Sequence, residues 1–237
     1  MLLTEFDDNR QAIINPEDLH EPLEVFPKIA VSCFSRMTFQ RMLDMFPHEL
    51  IYETSIANVA IPIYKLVIDE KELALFNAPV GASACVAILE DIFALGAEKL
   101  VLFGTCGVLD EDIKETSIII PSHALRDEGT SFHYVEASDE IAVNVGVLDR
   151  FRSYLNERQI SHKEGKVWTT DGIYRETSAK LKVRKAAGAI CVDMECSAVA
   201  ALAAYRGFEL CHFFYAADHL SEEKWDIRTL SSHEDLD

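Results

Sequence analysis

Positive charge is scarce in this sequence: 22 lysines and arginines face 40 aspartates and glutamates, a formal net charge of −18 over 237 residues. A molecule this acidic repels polyanions, which argues against nucleic acid as a partner. Any small anionic substrate would need locally placed arginines and backbone amides. Long apolar runs are also missing. Runs such as Leu100-Val-Leu-Phe103 and Ile118-Ile-Ile120 are far too short to span a bilayer. The acidic opening Met1-Leu-Leu-Thr-Glu-Phe-Asp-Asp8 has no basic region followed by an apolar one, so neither a signal peptide nor a membrane partner is expected. The six cysteines lack paired metal-type spacing, and Cys33, Cys191 and Cys211 lie in apolar segments. Buried reduced thiols in a cytoplasmic protein are the simplest expectation. No Pro/Gly/Ser-rich linker, low-complexity block or internal repeat divides the chain, so residues 1–237 are expected to form one domain. The eight histidines are scattered, with no helix-face pair. Neither a metal nor a redox cofactor is implied.

What the sequence does have is alternation. The run 27–31 is a short strand leading into Ser32-Cys-Phe-Ser-Arg36, and 37–45 carries apolar residues at helical spacing. Residues 72–80 read as a strand, 83–95 as a helix closed by Gly96, and 99–103 as a strand. This β-α-β unit implies a parallel pair. Strands at 117–120, 166–169, 189–192 and 211–215 alternate with helices at 145–158, 178–187 and 197–205. The expected fold is α/β: three layers, a mixed and mostly parallel sheet, and helices on both faces.

Ligands of such folds bind beyond the carboxyl ends of strands. The segments expected there are Ser32 to Arg36, the short glycine loop Gly104-Thr-Cys-Gly107, Asp193-Met-Glu195 and Ala216-Ala-Asp-His219. Ser32 and Arg36 could hold an anion or simply open a helix. The glycine loop has neither a dinucleotide fingerprint nor a P-loop lysine. Each acid has a capping alternative, but three carboxylates converging on neighbouring strand ends must be paired, neutralised or used.

These stretches resemble the α/β nucleoside phosphorylases, the family of uridine phosphorylase, hexameric purine nucleoside phosphorylase and related hydrolases. The resemblance covers most of the chain. It is carried by Phe103-Gly-Thr-Cys-Gly-Val-Leu109, Val192-Asp-Met-Glu-Cys-Ser-Ala198 and Ala216-Ala-Asp-His-Leu220, with Arg126-Asp-Glu-Gly-Thr-Ser-Phe-His133 in support. It implies that a nucleoside is cleaved by phosphate to free base and (deoxy)ribose 1-phosphate, with no cofactor beyond phosphate as co-substrate. By the same resemblance Glu195 accepts the ribose hydroxyls, Met194 packs on the sugar and Thr105 touches sugar and phosphate. Cys106 and Gly107 border the base, Ile173 opens the base-reading segment, and Asp218 hydrogen-bonds or protonates a purine. Asp193 contacts the sugar indirectly or supports the junction. Ser32 and Arg36 stand at the family's first phosphate loop. The resemblance further implies a homo-oligomer, a dimer or a hexamer.

Three departures concern phosphate. The family's Gly-Asp-Pro at that loop is here Ser32-Cys-Phe34, its arginine two residues before the glycine loop is Leu102, and residues 50–64 contain no arginine. Arg126 is the candidate substitute. The uracil-reading glutamine and arginine are absent from Ile173-Tyr-Arg-Glu-Thr-Ser178. A hydrolase using water and a non-catalytic nucleoside-binding protein are the alternatives.

Overall fold

The computed structural model describes residues 2–231. The chain runs β1 (Ile29–Cys33), α1 (Arg36–Met45), β2 (His48–Ile56), β3 (Val59–Ile68), β4 (Lys71–Asn77), α2 (Ala82–Leu95), β5 (Lys99–Val108) and β6 (Ile118–Asp127). It continues with β7 (Glu140–Ala142), α3 (Leu148–Glu157), β8 (His162–Thr170), α4 (Ser178–Ala186), β9 (Ala189–Asp193), α5 (Cys196–Arg206), β10 (Glu209–Leu220) and β11 (Trp225–Asp226). These strands form an 11-stranded sheet, ordered β11-β10-β6-β8-β9-β5-β1-β4-β3-β2 with β7 on β6.

The expected α/β class and mixed sheet are found. β1 lies parallel between β4 and β5, β8 runs parallel to β6 and β9, and β10 runs parallel to β5. Two expectations need correction. The two strands of the β-α-β unit are parallel but not adjacent, because β1 enters between them. The sheet also bends back on itself. β10 pairs with β5 as well as β6, so β5, β10, β6, β8 and β9 close a ring.

Helices cover both faces because β1 is apolar on both. Ala30 joins the large core beneath α2 and α5, while Val31 and Cys33 pack with Phe39 and Leu43 of α1 on the other side. The alanine-rich α5 is buried from Cys196 to Ala203, its small side chains allowing close approach to α2. A third cluster joins Leu181 of α4 to Trp168, Val192 and Leu109.

The segments 104–107 and 216–219 are not loops after strands, as expected, but parts of β5 and β10. Pairing between these strands continues from Lys99↔Glu209 to Val108↔His219, broken by a bulge between Ala216 and Asp218. Cross-strand bonds along that ladder outweigh the weak strand tendency of the two glycines. Gly104 is needed there for a second reason. A β-carbon on it would lie 2.7 Å from Cδ2 of Phe34, so the ring rests directly on the strand backbone.

Candidate active site

Sheet register brings the acids together. Asp218 on β10 is paired with Gly107 on β5, Gly107 with Val192 on β9, and Val192 with Trp168 on β8. Above this row lies a cavity of about 230 Å³. Its wall includes Thr105, Cys106 and Gly107 of β5, Asp193, Met194 and Glu195 at the β9–α5 junction, and Asp218 and Leu220 of β10. Phe34, Val80, Ile173, Glu176 and Leu230 complete most of the rest. A larger cavity of about 400 Å³ lies beside Thr54 and Asp91. There the polar groups satisfy one another: Asp91 takes the Thr54 hydroxyl at 2.6 Å and pairs with His20 Nε2 at 3.1 Å.

Glu195 is buried, 5% exposed. The N–H of Gly81 donates to its Oε1 at 2.6 Å. Gly81 has φ +102°, a conformation open to glycine, and immediately precedes α2. The N-termini of α2 and α5 therefore both approach this carboxyl, and both favour its anion. Burial outweighs them. Loss of water, then the neighbouring charge of Asp193, push the Glu195 carboxyl up to about 8.

Asp193 is used differently. Its Oδ1 accepts the Thr169 hydroxyl at 2.7 Å, and its Oδ2 accepts the N–H groups of Glu195 at 2.9 Å and Cys196 at 2.6 Å. It thus satisfies donors at the start of α5 that the helix cannot. Burial raises it to about 6 despite these bonds.

Behind this junction runs a buried polar chain. Thr169 Oγ1 accepts the N–H of Ser197 at 3.1 Å, the Ser197 hydroxyl donates to Glu128 Oε1 at 2.9 Å, and Glu128 Oε2 accepts the N–H of Ser131 at 2.9 Å. Arg126 ends the chain. Its Nε donates to Ser131 Oγ at 2.9 Å, and its Nη1 donates to Glu136 O at 2.7 Å and Ser138 Oγ at 2.8 Å. The guanidinium also lies 4.1 Å over the Phe132 ring.

At the opposite end Asp218 is half-buried, its Oδ2 accepting Trp225 Nε1–H at 2.7 Å. Glu176, between the short 3₁₀ turn Ile173–Arg175 and α4, makes no side-chain hydrogen bond among the described residues. Burial, then the charge of Asp218, push its carboxyl up to about 7.

The phosphorylase superfamily profile matches residues 28–235. The chain belongs to the phosphorylase superfamily. A DeoD-type purine nucleoside phosphorylase of Brevibacillus brevis is 29% identical over 126 residues, 53% of this chain and 54% of that protein. A guanosine phosphorylase of Halorubrum lacusprofundi is 23% identical over 147 residues, 61% of each chain. The chain spans about half to three fifths of the length of these curated relatives. The crystal structure of uridine phosphorylase from Vibrio fischeri shares the superfamily fold, with a TM-score of 0.76 at 16% identity over 95% of this chain and 90% of that one.

Within the superfamily fold, eight of the residues singled out from the sequence border one cavity: Thr105, Cys106, Gly107, Ile173, Asp193, Met194, Glu195 and Asp218. Three do not. Ser32 is fully buried in β1, its hydroxyl donating to Phe76 O at 2.8 Å, which removes it as an exposed anion ligand. Arg126 faces the polar chain behind α5 instead of the cavity, so it is not placed to replace a phosphate arginine. Arg36 opens α1 as an exposed side chain, two residues beyond the cavity-lining Phe34. Glu176 was not singled out. An acid just before the capping Thr177 of α4 reads as ordinary charge at a helix start, and only the tertiary fold turns it to the cavity.

Proposed function

We propose that the protein cleaves the N-glycosidic bond of a nucleoside with inorganic phosphate, releasing free base and (deoxy)ribose 1-phosphate. The observation that carries this reading is Glu195, a buried carboxyl opening on the cavity beside the half-buried Met194. In this reading the ribose hydroxyls donate to Glu195 and Met194 packs on the sugar. As the C1′–N bond breaks, its electron pair leaves with the base and positive charge grows on the ribose. A fixed carboxylate stabilises that charge where water would have to reorganise. A phosphate oxygen closes the new bond to C1′, and the departing base takes up a proton from solvent while Asp218 hydrogen-bonds to it. Thr105 contacts sugar and phosphate, Cys106, Gly107 and Ile173 border the base, and Asp193 holds the junction. Arg36 and the first turn of α1 anchor the phosphate. The superfamily membership and the names of the relatives support the reaction. We further propose a cytoplasmic homo-oligomer, for which the lack of any disulfide among the described residues is the supporting observation on location.

One observation favours a second reading, hydrolysis. No lysine or arginine lines the cavity among the described residues, Leu102 is fully buried, and the Phe34 ring occupies the wall. Incubation with a nucleoside panel, with and without phosphate, separates the two through the sugar product. Strict phosphate dependence and ribose 1-phosphate are expected, and Arg36→Ala should raise the KM for phosphate about tenfold or more, as loss of a charge-assisted contact does. Free ribose made at equal rates without phosphate assigns the hydrolase. Binding without turnover leaves a non-catalytic nucleoside-binding protein.

A further inference from the structure

The start of α5 carries the Glu195 carboxyl, and apolar packing alone fixes it poorly. From Cys196 to Ala203 the helix is buried, but its side chains are small, with alanine the commonest. Contact between small apolar groups is non-directional, so the rotation and register of the first turn depend on hydrogen bonds. Side-chain acceptors reach that turn from two sides. On the β8–β9 side Asp193 accepts the N–H groups of Glu195 and Cys196, and Thr169 accepts that of Ser197. On the β6 side, one residue past the strand, the Glu128 carboxylate accepts the Ser197 hydroxyl at 2.9 Å.

Glu128 is itself buried and held at both oxygens, the second taking the N–H of Ser131 at 2.9 Å. Arg126 is the only lysine or arginine among the buried described residues, and its Nε donates to the hydroxyl of the same Ser131. The buried anion therefore has a buried cation one serine away, and neither lines the cavity. An apolar side chain would fill the space of Glu128 at a lower desolvation cost. What an apolar side chain cannot supply is the acceptor for Ser197.

We propose that Glu128 is a positioning residue: through Ser197 it locks the first turn of α5 and so holds the Glu195 carboxyl at its place on the cavity. This rests on Glu195 acting in nucleoside cleavage, as proposed above. The place of that carboxyl has its own reporter. The Gly81 N–H donates to Glu195 Oε1 at 2.6 Å, and this amide responds to a shift of Glu195 whether or not a substrate turns over.

The test compares Ser197→Ala, Glu128→Ala, the double variant, Glu128→Gln and Glu195→Gln with the wild type. Steady-state kinetics of nucleoside cleavage at saturating phosphate accompany hydrogen exchange of the Gly81 amide, followed by NMR on protein carrying isotope-labelled glycine. Ser197→Ala cuts the tie and leaves the bond from Ser131 to Glu128 in place. Its kcat should fall by about tenfold to a hundredfold, the cost of misplacing a reacting group by about 1 Å. Its KM should change far less, and the Gly81 amide should exchange faster. The double variant should be no worse than Glu128→Ala, because both changes break one link. Glu128→Gln keeps the side-chain length: its oxygen accepts Ser131 N–H and its amide donates to the Ser197 oxygen. It should retain most of kcat and the Gly81 protection even if its Tm falls, which a role in stability alone would not produce. Should Glu128→Ala fail to fold, Ser197→Ala and Glu128→Gln carry the test. If Glu195→Gln is impaired while Ser197→Ala keeps full kcat and Gly81 protection, the inference is wrong and the proposed reaction stands. Additive losses in the double variant also overturn the inference. If no nucleoside is cleaved, yet Gly81 loses protection in Ser197→Ala and keeps it in Glu128→Gln, the positioning stands and the reaction fails. No turnover together with a Gly81 amide indifferent to every variant overturns both.

Discussion

Replacing Glu195 by glutamine is expected to lower kcat/KM for nucleoside cleavage about a hundredfold to a thousandfold, the range for removing one preorganised contact to a developing charge. The amide keeps the length of the side chain and an oxygen that can accept the Gly81 N–H, now made at 2.6 Å. What it loses is the negative charge. The same change should stabilise the empty protein at alkaline pH. The Glu195 carboxyl is raised to about 8 in the folded state, so between the ordinary glutamate range near pH 4.5 and about pH 8 the folded chain holds a proton that the unfolded chain has released. The contribution of this group to stability is greatest below that window and is lost as pH rises through it. Glutamine never carries the charge. Thermal unfolding should show no difference between variant and wild type at pH 5, and a Tm about 3–6 °C higher for the variant at pH 8.5, corresponding to about 1–2 kcal/mol. Wild-type kcat/KM should rise with pH towards 8, and that rise should be missing in the variant. A variant with near-normal kcat/KM would remove Glu195 from the site.

Much of this site is legible in the sequence, and what is not has a common cause. The strand-to-helix change at Asp193 and Glu195 is visible because local periodicity changes there, and β9 and α5 form as that change requires. The placing of Thr105 and Asp218 on one cavity follows from strand order plus motif. Long-range pairing is what the sequence hides. Gly104 and Gly107 suggest a loop locally, yet they sit inside β5 because β10 runs alongside it past Val108. The hairpin of β2 and β3 gives no glycine signal, since Ala57 takes up the turn at φ +51°. Arg126 looks like an anion ligand by residue type, but a cation is held wherever acceptors surround it. Here Ser131, Glu136 and Ser138 do so, behind the helix instead of in the cavity.

The buried chain from Arg126 to Thr169 ends on Asp193, and the second large effect is expected there. Asp193→Ala should destabilise the protein by about 3 kcal/mol, because each unsatisfied buried donor costs about 1–3 kcal/mol and removal of a buried charge offsets part of the loss. Three donors lose their acceptor at once: the Thr169 hydroxyl and the N–H groups of Glu195 and Cys196. No other side chain stands ready to replace it, since Thr169 is fully buried and Cys196 likewise. For a domain of this size the change corresponds to a Tm lower by about 6–12 °C, measurable by calorimetry and by the urea midpoint. Asp193→Asn should fall between the wild type and the alanine variant. Its carbonyl can still accept the two helix N–H groups, but its amide then meets the Thr169 hydroxyl as a donor, and that oxygen already accepts Ser197 N–H at 3.1 Å. Activity should follow the geometry of Glu195, whose own N–H is one of the three donors released, so kcat should fall in Asp193→Ala even at temperatures where the protein remains folded. An alanine variant with unchanged Tm and kcat would show that the start of α5 is held by its packing against α2 alone.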